Sequence, residues 1–323
     1  MRVPVRRLLA LAVLHAPLAA QLVLDGPTVR VVYDAPRRGL AVNVLSETAA
    51  AEEMTAIALG LATPKDKTVE ITPDQAGLDA RVRALTGGPA PDWAGAVAIP
   101  SRNLVLVRAD APRGAHPGLR GLLAHEYAHL ALHAARATHE APPFPRWVEE
   151  GLAQYAAGRL RPEETVDLRP AAFLGRLKGP VELEALFGGG EGAAATAYAQ
   201  ADAFVRSMAL RHGWTAPRRL VRALTEGSTL DAAVVHATGF PLESEWNAFA
   251  AELAGDRSWL WSLAGQVLVA VFLTGVAVLG LARRRRRRLQ AEAAWSKSEP
   301  DAASPGGTPP DGVAERPAPA TDF

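Results

Sequence analysis

The sequence predicts an α+β domain with a small N-terminal β-sheet and a mostly helical C-terminal part, plus one C-terminal transmembrane helix. Three observations support this prediction. Short β-branched runs lie in the first third of the chain, Ala- and Leu-rich helical runs follow them, and an uncharged apolar stretch of membrane length lies near the end. A hydrophobic fraction of 49% in 323 residues is enough for a sizeable core.

The N-terminus has the pattern of a secretory signal. Three arginines come before an apolar run at residues 8–14, and small residues follow near Ala20. Because this apolar run is too short to span a bilayer comfortably, we expect residues 1–20 to be a cleaved signal peptide rather than a retained anchor. Residues 21–256 would then form an extracytoplasmic domain.

The first part of this domain has strand signals around one long helix. Its β-branched, alternating runs are typical of strands, and its Ala-, Leu- and Glu-rich run is typical of a helix that ends at a glycine. The predicted elements are strands at 29–33 and 68–72, a helix at 40–61, and a β-hairpin formed by 94–99 and 104–107 around a turn at 100–103.

The second part of the domain is helical. The pattern changes to a helical period over residues 118–135, and a second helix is predicted over 146–157 after a proline-rich stretch. Further helical segments, separated by glycines and a proline, continue to about residue 253. Strands first and helices later favour an α+β arrangement.

The C-terminal region predicts a membrane span. Residues 259–282 carry no charge, two tryptophans lie at the start of this stretch, and Arg283–Arg288 follow it directly. A buried core helix would place these arginines against the core, so a single transmembrane helix is the better interpretation. We expect residues 283–323 to be a basic stop-transfer segment and a disordered cytoplasmic tail rich in Pro, Ala, Gly and Ser.

Composition limits the classes of function. The chain has no cysteine, which excludes disulfides, a Cys-ligated metal and a Cys nucleophile. Its formal net charge is only +1, and its one arginine run lies beside a membrane span. We therefore expect the lipid bilayer as a partner, no nucleic acid, and a single-pass protein of the cell membrane with its C-terminus in the cytoplasm.

One short motif carries chemistry. Residues 125–129 read His-Glu-Tyr-Ala-His, which is an HExxH sequence in a helical run. Residues four apart lie on one face of a helix, so His125 and His129 can bind one metal ion, and Glu126 lies beside them as a base for water. We interpret His125 and His129 as metal ligands and Glu126 as the catalytic base.

A zinc hydrolase needs a third protein ligand. Ala135 stands where the metzincin class has a histidine, which excludes that class. His133 lies two turns from His125, and His139 falls in a loop, so both are weaker candidates. Two adjacent glutamates on the next predicted helix, Glu149 and Glu150, both remain open on this reasoning.

These motifs resemble a known family. HExxH followed by Trp147-x-x-Glu-Gly-Leu-Ala-x-Tyr155 is similar to the gluzincin metallopeptidases, and closest to the peptidase-MA-like domain, a distant relative of aminopeptidase-N-type enzymes. The resemblance implies a zincin-like fold, one Zn²⁺, Glu150 as the third ligand, and a peptide or protein substrate. It also places Tyr198 where related enzymes have a catalytic tyrosine that stabilises the oxyanion; Tyr155 and His212 are weaker substitutes.

One departure from the family affects the expected activity. Ala98 stands where aminopeptidase-N-like enzymes have a glutamate that binds the substrate's free amine. The predicted function is therefore a membrane-anchored zinc metallopeptidase, more an endopeptidase than an aminopeptidase. The alternatives are a non-catalytic zinc-binding module tethered to the membrane for binding or sensing, and a membrane protein with a chance motif that holds no zinc.

Overall fold

The computed structural model describes residues 21–111, 118–158 and 168–298, with residues 262–263 and 296–298 described by their backbone alone. The predicted signal peptide at residues 1–20 and the predicted tail from residue 299 onward lie outside the described residues. The described chain forms two units that divide after Arg257.

The first unit contains a five-stranded sheet with the order β1-β2-β3-β5-β4. Its strands are β1 (Gln21–Asp25), β2 (Val29–Asp34), β3 (Lys67–Thr72), β4 (Ala96–Ile99) and β5 (Leu104–Arg108). Strands β2, β3 and β5 are parallel, and β1 and β4 pair antiparallel at the two edges. The predicted strands and hairpin are confirmed, whereas β1 has no counterpart in the sequence analysis.

The described part of the first unit has ten α-helices, and they confirm the predicted α+β class. These are α1 (Arg38–Leu59), α2 (Gln75–Thr86), α3 (Gly118–Thr138), α4 (Arg146–Ala157), α5 (Arg169–Phe173), α6 (Pro180–Leu186), α7 (Glu191–His212), α8 (Ala216–Thr225), α9 (Leu230–Thr238) and α10 (Leu242–Gly255). Helix α1 ends at Gly60, whose positive φ of 71° suits glycine. Helix α2, which was not predicted, begins at Asp74, whose side chain accepts from the Gly77 N–H at 2.8 Å.

The sheet separates two layers of helices. On one face, Val31, Val69 and Val105 pack with α1 and α3, and on the other face Leu106 packs with α2. A larger, wholly helical core joins α4 and α7 to α8, α9 and α10. Helix α3 belongs to both cores, since its Tyr127 faces the sheet and its Leu132 faces the helices.

A buried ammonium group lies behind α3. The side chain of Lys67 is fully buried and pairs with Glu52. Its Nζ also donates to the carbonyls of Thr28 at 3.1 Å and Pro64 at 3.2 Å, and it lies 5.0 Å from the ring centroid of Tyr127. The charge of Lys67 is therefore well compensated, as a buried charge must be.

Polar contacts attach α1 to the back of α3. The hydroxyl groups of Tyr127 and Thr48 are 3.1 Å apart, and Thr55 donates to the Ala124 carbonyl at 3.2 Å. Burial raises the pKa of Tyr127, and the hydrogen bond with Thr48 only partly opposes this. These contacts fix the rotation of α3 about its axis, which decides where its other face points.

The second unit is a single helix, α11 (Ser258–Ser298), in the part that the structure describes. It contains a stretch long and apolar enough to cross a membrane. The helix continues through Arg283–Arg288 to Ser298, so the first residues of the predicted tail are helical. Leucine, valine and phenylalanine side chains along the apolar stretch are exposed, as a membrane-embedded helix requires.

Candidate metal centre

A cleft of about 980 Å³ lies between β4 and the helices α3, α4 and α7. The sequence-predicted residues that line it are His125, Glu126 and His129 from α3, Glu149 and Glu150 from α4, and Tyr198 from α7. Side chains that are distant in the sequence therefore face one space.

Helix α3 places its two imidazoles on the cleft side. Leu123, Tyr127 and Leu130 are buried on the opposite side, as the helical period predicts. The Nε2 atoms of His125 and His129 face each other at 3.3 Å. If both Nε2 atoms carry lone pairs, the two neutral rings cannot hydrogen-bond to each other. The 3.3 Å between these atoms therefore suits a cation or a proton that the two rings share.

Helix α4 obtains its N-terminal cap from another helix. It begins after Pro145, which provides no side-chain cap. The carboxylate of Glu184 on α6 accepts instead from the backbone N–H groups of Arg146 at 2.9 Å and Trp147 at 3.0 Å. An anion here satisfies free amides and favours the helix dipole, so Glu184 fixes the end of α4 that precedes the two glutamates.

A glycine lets α4 and α7 approach closely. A Cβ atom placed on Gly151 would lie 2.8 Å from the carbonyl oxygen of Ala201, closer than side chains tolerate. Gly151 directly follows Glu150, so a close approach of the two helices lies beside the candidate ligand. This explains in physical terms why glycine follows glutamate in the motif.

The two histidines and Glu150 form a compact cluster. Their ligand atoms all lie within 4.8 Å of one another. Glu150 Oε2 is 3.4 Å from His125 Nε2 and 3.4 Å from His129 Nε2. Both contacts exceed the ordinary length of such hydrogen bonds, and Oε2 is buried without a hydrogen-bond partner among the described residues. Two imidazole nitrogens and a carboxylate oxygen are a donor set that zinc accepts, so this group could hold a metal ion.

Glu149 has a different place from Glu150. Its Oε1 lies 2.9 Å from Nδ1 of His129, the ring nitrogen that faces away from the cluster. A carboxylate at this position fixes the orientation of the imidazole and leaves Nε2 free to bind an ion. The geometry thus gives Glu149 and Glu150 different positions, whereas reasoning from the residues alone left open which of them could be the third ligand.

Burial and mutual attraction shift the titration of these groups. Burial alone would raise the pKa of Glu150, but His129 and His125 hold it well below its usual range. Burial alone would lower the pKa of His129, but the charge of Glu150 and the hydrogen bond with Glu149 raise it well above its usual value. The mutual attraction between the His129 imidazole and the Glu150 carboxylate therefore favours their close approach.

Glu126 lies in the same cleft but outside the triad. It is almost fully buried, and this burial raises the pKa of its carboxyl group. The charges of His125 and His129 and a hydrogen bond from the Ala98 backbone act in the opposite direction. A buried carboxyl group whose neighbours shift it both ways is typical of functional sites.

Tyr198 lies on the wall of the cleft that α7 provides. Its ring packs edge-on against Phe187, with centroids 5.1 Å apart. Burial raises the pKa of its phenol, Glu150 adds to this, and the charge of Arg146 together with a hydrogen bond from it opposes the shift. Tyr198 is therefore close enough to Glu150 to feel its charge.

Sequence reasoning missed two charged residues of this region. Arg146 lines the cleft, and its Nε is 3.5 Å from Glu150 Oε1. Asp202 is buried on α7, where burial raises the pKa of its carboxyl group while the charges of Arg206 and His125 lower it. The spacing of Arg146 four residues before Glu150 was the available signal for the first. No sequence signal identified Asp202.

The weaker candidates lie outside the cleft lining. His133 contacts Arg136 at 3.3 Å, and Tyr155 lies under the guanidinium group of Arg206. His212 pairs with Glu245 at 3.0 Å. His139 follows the end of α3 and is exposed. None of the four is among the described residues that line the cleft.

A family model described as the peptidase MA superfamily matches residues 89–252, half of the chain. The chain belongs to the peptidase MA superfamily. This confirms the gluzincin-type resemblance, and the match spans β4, α3, α4 and α7, the elements around the cleft. Peptidase MA proteins are usually zinc-dependent, and some are non-catalytic. No curated protein matches the chain.

Proposed function

We propose that this chain is a zinc-dependent peptidase of zincin-like fold, anchored in a membrane by α11. One observation carries the proposal: the triad of His125, His129 and Glu150 and the buried Glu126 face one cleft. A structural zinc site normally has four protein ligands and needs no base beside it. Three ligands and an adjacent buried carboxyl group fit a site that leaves a position for water.

Each residue of the site has a distinct role in the proposed mechanism. His125, His129 and Glu150 would hold one Zn²⁺, which when bound supplies a Lewis acid that lowers the pKa of water and polarises a carbonyl. Glu126 accepts the proton of the attacking water and passes it to the leaving amine. Tyr198 donates a hydrogen bond from its hydroxyl group to the oxygen of the scissile carbonyl as negative charge develops there.

The edge strand β4 supports binding of an extended peptide. The Arg108 N–H donates to the Gly95 carbonyl at 2.9 Å, so alternation along the antiparallel pair turns the backbone groups of Ala96 and Ala98 away from β5. Glu126 already accepts a hydrogen bond from the Ala98 backbone. The N–H and C=O of Ala96 therefore offer a substrate strand its pairing partners.

The cleft also favours cleavage within a chain. Strand β4 lines it, and Ala98 of this strand provides no carboxylate for a terminal amine. An endopeptidase is therefore the proposed subtype, with peptides or proteins as substrates. The topology proposed with it has a signal peptide at residues 1–20, residues 21–256 outside the cytoplasm, residues 259–282 in the bilayer, and the arginine run and tail inside.

Replacing the proposed base tests catalysis directly. The Glu126→Gln variant of the full chain should bind one zinc ion yet cleave unfolded casein about 10²- to 10⁴-fold more slowly than the native chain, because it loses proton transfer. Glu243→Gln, an exposed glutamate on α10, is the matched control and should cleave normally. Casein cleavage that survives both chelation and Glu126→Gln would rule the proposal out.

Replacing Ala96 with proline tests the role of the edge strand. Ala96→Pro removes an outward N–H without removing a bond to β5, so zinc content should not change. We expect kcat/KM for casein to fall by about tenfold, the value of one main-chain hydrogen bond. Unchanged kcat/KM would show that substrate does not pair at this position.

The non-catalytic alternative predicts a different result. A tethered binding module of the same family would hold zinc and bind peptides without cleaving them. The buried Glu126 argues against it, since burial of a carboxyl group is costly and a binding module gains nothing from that cost. Stoichiometric zinc together with intact casein after long incubation would favour the alternative.

A further inference from the structure

Arg146 occupies a junction between the triad and Tyr198. Its backbone is fixed at the first turn of α4 by Glu184, and its side chain is half-exposed on the cleft wall. Its guanidinium group lies 5.0 Å from the ring centroid of Phe187, the ring that also packs on Tyr198. The guanidinium group is thus confined by Phe187 between two groups that the proposed function uses.

The two oxygens of Glu150 have separate partners. Oε2 lies 3.4 Å from each of the two imidazole Nε2 atoms, whereas Oε1 lies 3.5 Å from Nε of Arg146. A carboxylate that is free to rotate could present either oxygen, or both, to an ion. The cation at Oε1 favours the arrangement in which Oε2 alone points at the histidines.

A hydrogen bond between Arg146 and Tyr198 can have only one direction. Both groups pack on the ring of Phe187, and a guanidinium group has N–H donors and no acceptor, so in any hydrogen bond between the two the phenol oxygen accepts from Arg146. The hydroxyl group has a single proton, which then remains available for a different acceptor. In the described part of the chain no acceptor is bonded to that proton, and Tyr198 lines the cleft.

We propose that Arg146 is a positioning residue that orients both groups at once. It holds Oε1 of Glu150, so that Oε2 alone faces the two imidazoles, and it donates to the oxygen of Tyr198, so that the hydroxyl proton points into the cleft. The second role rests on the proposed function of Tyr198. The first concerns ion binding alone and stands without any catalysis.

Zinc affinity of the full chain in detergent tests the first role. Arg146→Met keeps the length of the side chain and its contact with Phe187 but removes the charge and all donors. We expect it to weaken zinc binding about 10- to 100-fold, measured by competition with a chromophoric chelator. Arg222→Met is the matched control, because it removes an arginine with the same i,i+4 spacing to a glutamate on the exposed face of α8.

A double-mutant cycle tests the second role. With saturating zinc, Arg146→Met and Tyr198→Phe should each lower kcat for casein, and the double variant should be no slower than Tyr198→Phe alone. A residue that only supports the fold would give independent, multiplicative losses. Arg146→Lys retains one charge but not the planar fork. Compared with Arg146→Met, it should therefore recover only part of the loss in one of the two measurements, zinc affinity or kcat.

The outcomes separate this inference from the proposed function. Native zinc affinity in Arg146→Met overturns the role at Glu150, and multiplicative losses in the cycle overturn the role at Tyr198. If the native chain binds zinc but cleaves nothing, the peptidase proposal fails, and the affinity of Arg146→Met still decides whether Arg146 orients Glu150.

Discussion

Charged or titratable groups lie on both sides of helix α3, and they have different kinds of partners on the two sides. Behind the helix, the ammonium group of Lys67 has a carboxylate and several carbonyls around it, and Tyr127 is bonded to Thr48. In front, His129 and Glu150 contact each other at 3.4 Å, longer than an ordinary hydrogen bond, and Glu126 is buried with a raised pKa.

This difference separates stability from binding. A buried charge whose donors and acceptors are all satisfied supports the folded structure and has no group left to bind a ligand. A group of donors that is close but imperfectly paired costs folding free energy, and an ion can repay that cost on binding. We therefore expect changes behind α3 to alter unfolding and changes in front of it to alter zinc binding.

The largest expected effect is loss of the ion from the front face. Glu150→Gln should weaken zinc binding by more than about 100-fold, because it removes the only anionic ligand of the triad. Zinc at a thousand times its dissociation constant should stabilise the native chain by about 4 kcal/mol. The variant should gain at most about 1.4 kcal/mol at the same zinc concentration, as urea unfolding with and without zinc will show.

Equal stabilisation of Glu150→Gln and the native chain by zinc would contradict the comparison. It would mean that the ion binds elsewhere or that the front face does not need its carboxylate.

A smaller effect is expected behind the helix. Lys67→Met leaves Glu52 without its cation and should lower the free energy of unfolding by about 3 kcal/mol. The double change Lys67→Met with Glu52→Leu should recover part of this loss, because no charge is then left unpaired. Tryptophan fluorescence during urea unfolding measures both variants, since Trp147 and Trp246 lie in the helical core.

Zinc affinity is the control for this prediction. Below its unfolding transition, Lys67→Met should bind zinc within about threefold of the native chain. A large loss of affinity would show that the two faces are coupled through α3.

The smallest effect comes from the middle of the motif. Tyr127→Phe removes one hydrogen bond with Thr48 and should cost about 1 kcal/mol of unfolding free energy. Although Tyr127 lies between the two histidines in sequence, it faces the sheet, so zinc affinity and casein cleavage should not change. A tenfold change in either would contradict the division between the faces.

Local patterns in the sequence were sufficient for most of the fold and part of the site. The period of α3 placed His125 and His129 together, and β-branched runs identified β2, β3 and the hairpin. Strand β1 was missed because Gln21–Asp25 is mostly exposed and lies at the boundary of the predicted signal peptide. Helix α2 was missed because it contains only two buried apolar residues.

The rest of the site depends on contacts between distant elements. The choice between Glu149 and Glu150 needs the rotation of α4 relative to α3, which no pattern within α4 specifies. Arg146 lies near Phe187, which follows α6, and Tyr198 of α7, and Glu184 contacts α4 from α6. Such contacts are set by tertiary packing, so no local pattern in the sequence indicates them.

Gly151 has a consequence for how this cleft can vary. Because only a hydrogen atom fits between α4 and the main chain of α7 at this point, the two helices behave as one wall. Any larger residue there would widen the gap and carry Tyr198 away from Glu150. The width of the cleft on this side is thus set by the missing methyl group of a residue that itself touches neither the triad nor Tyr198 in the proposed mechanism.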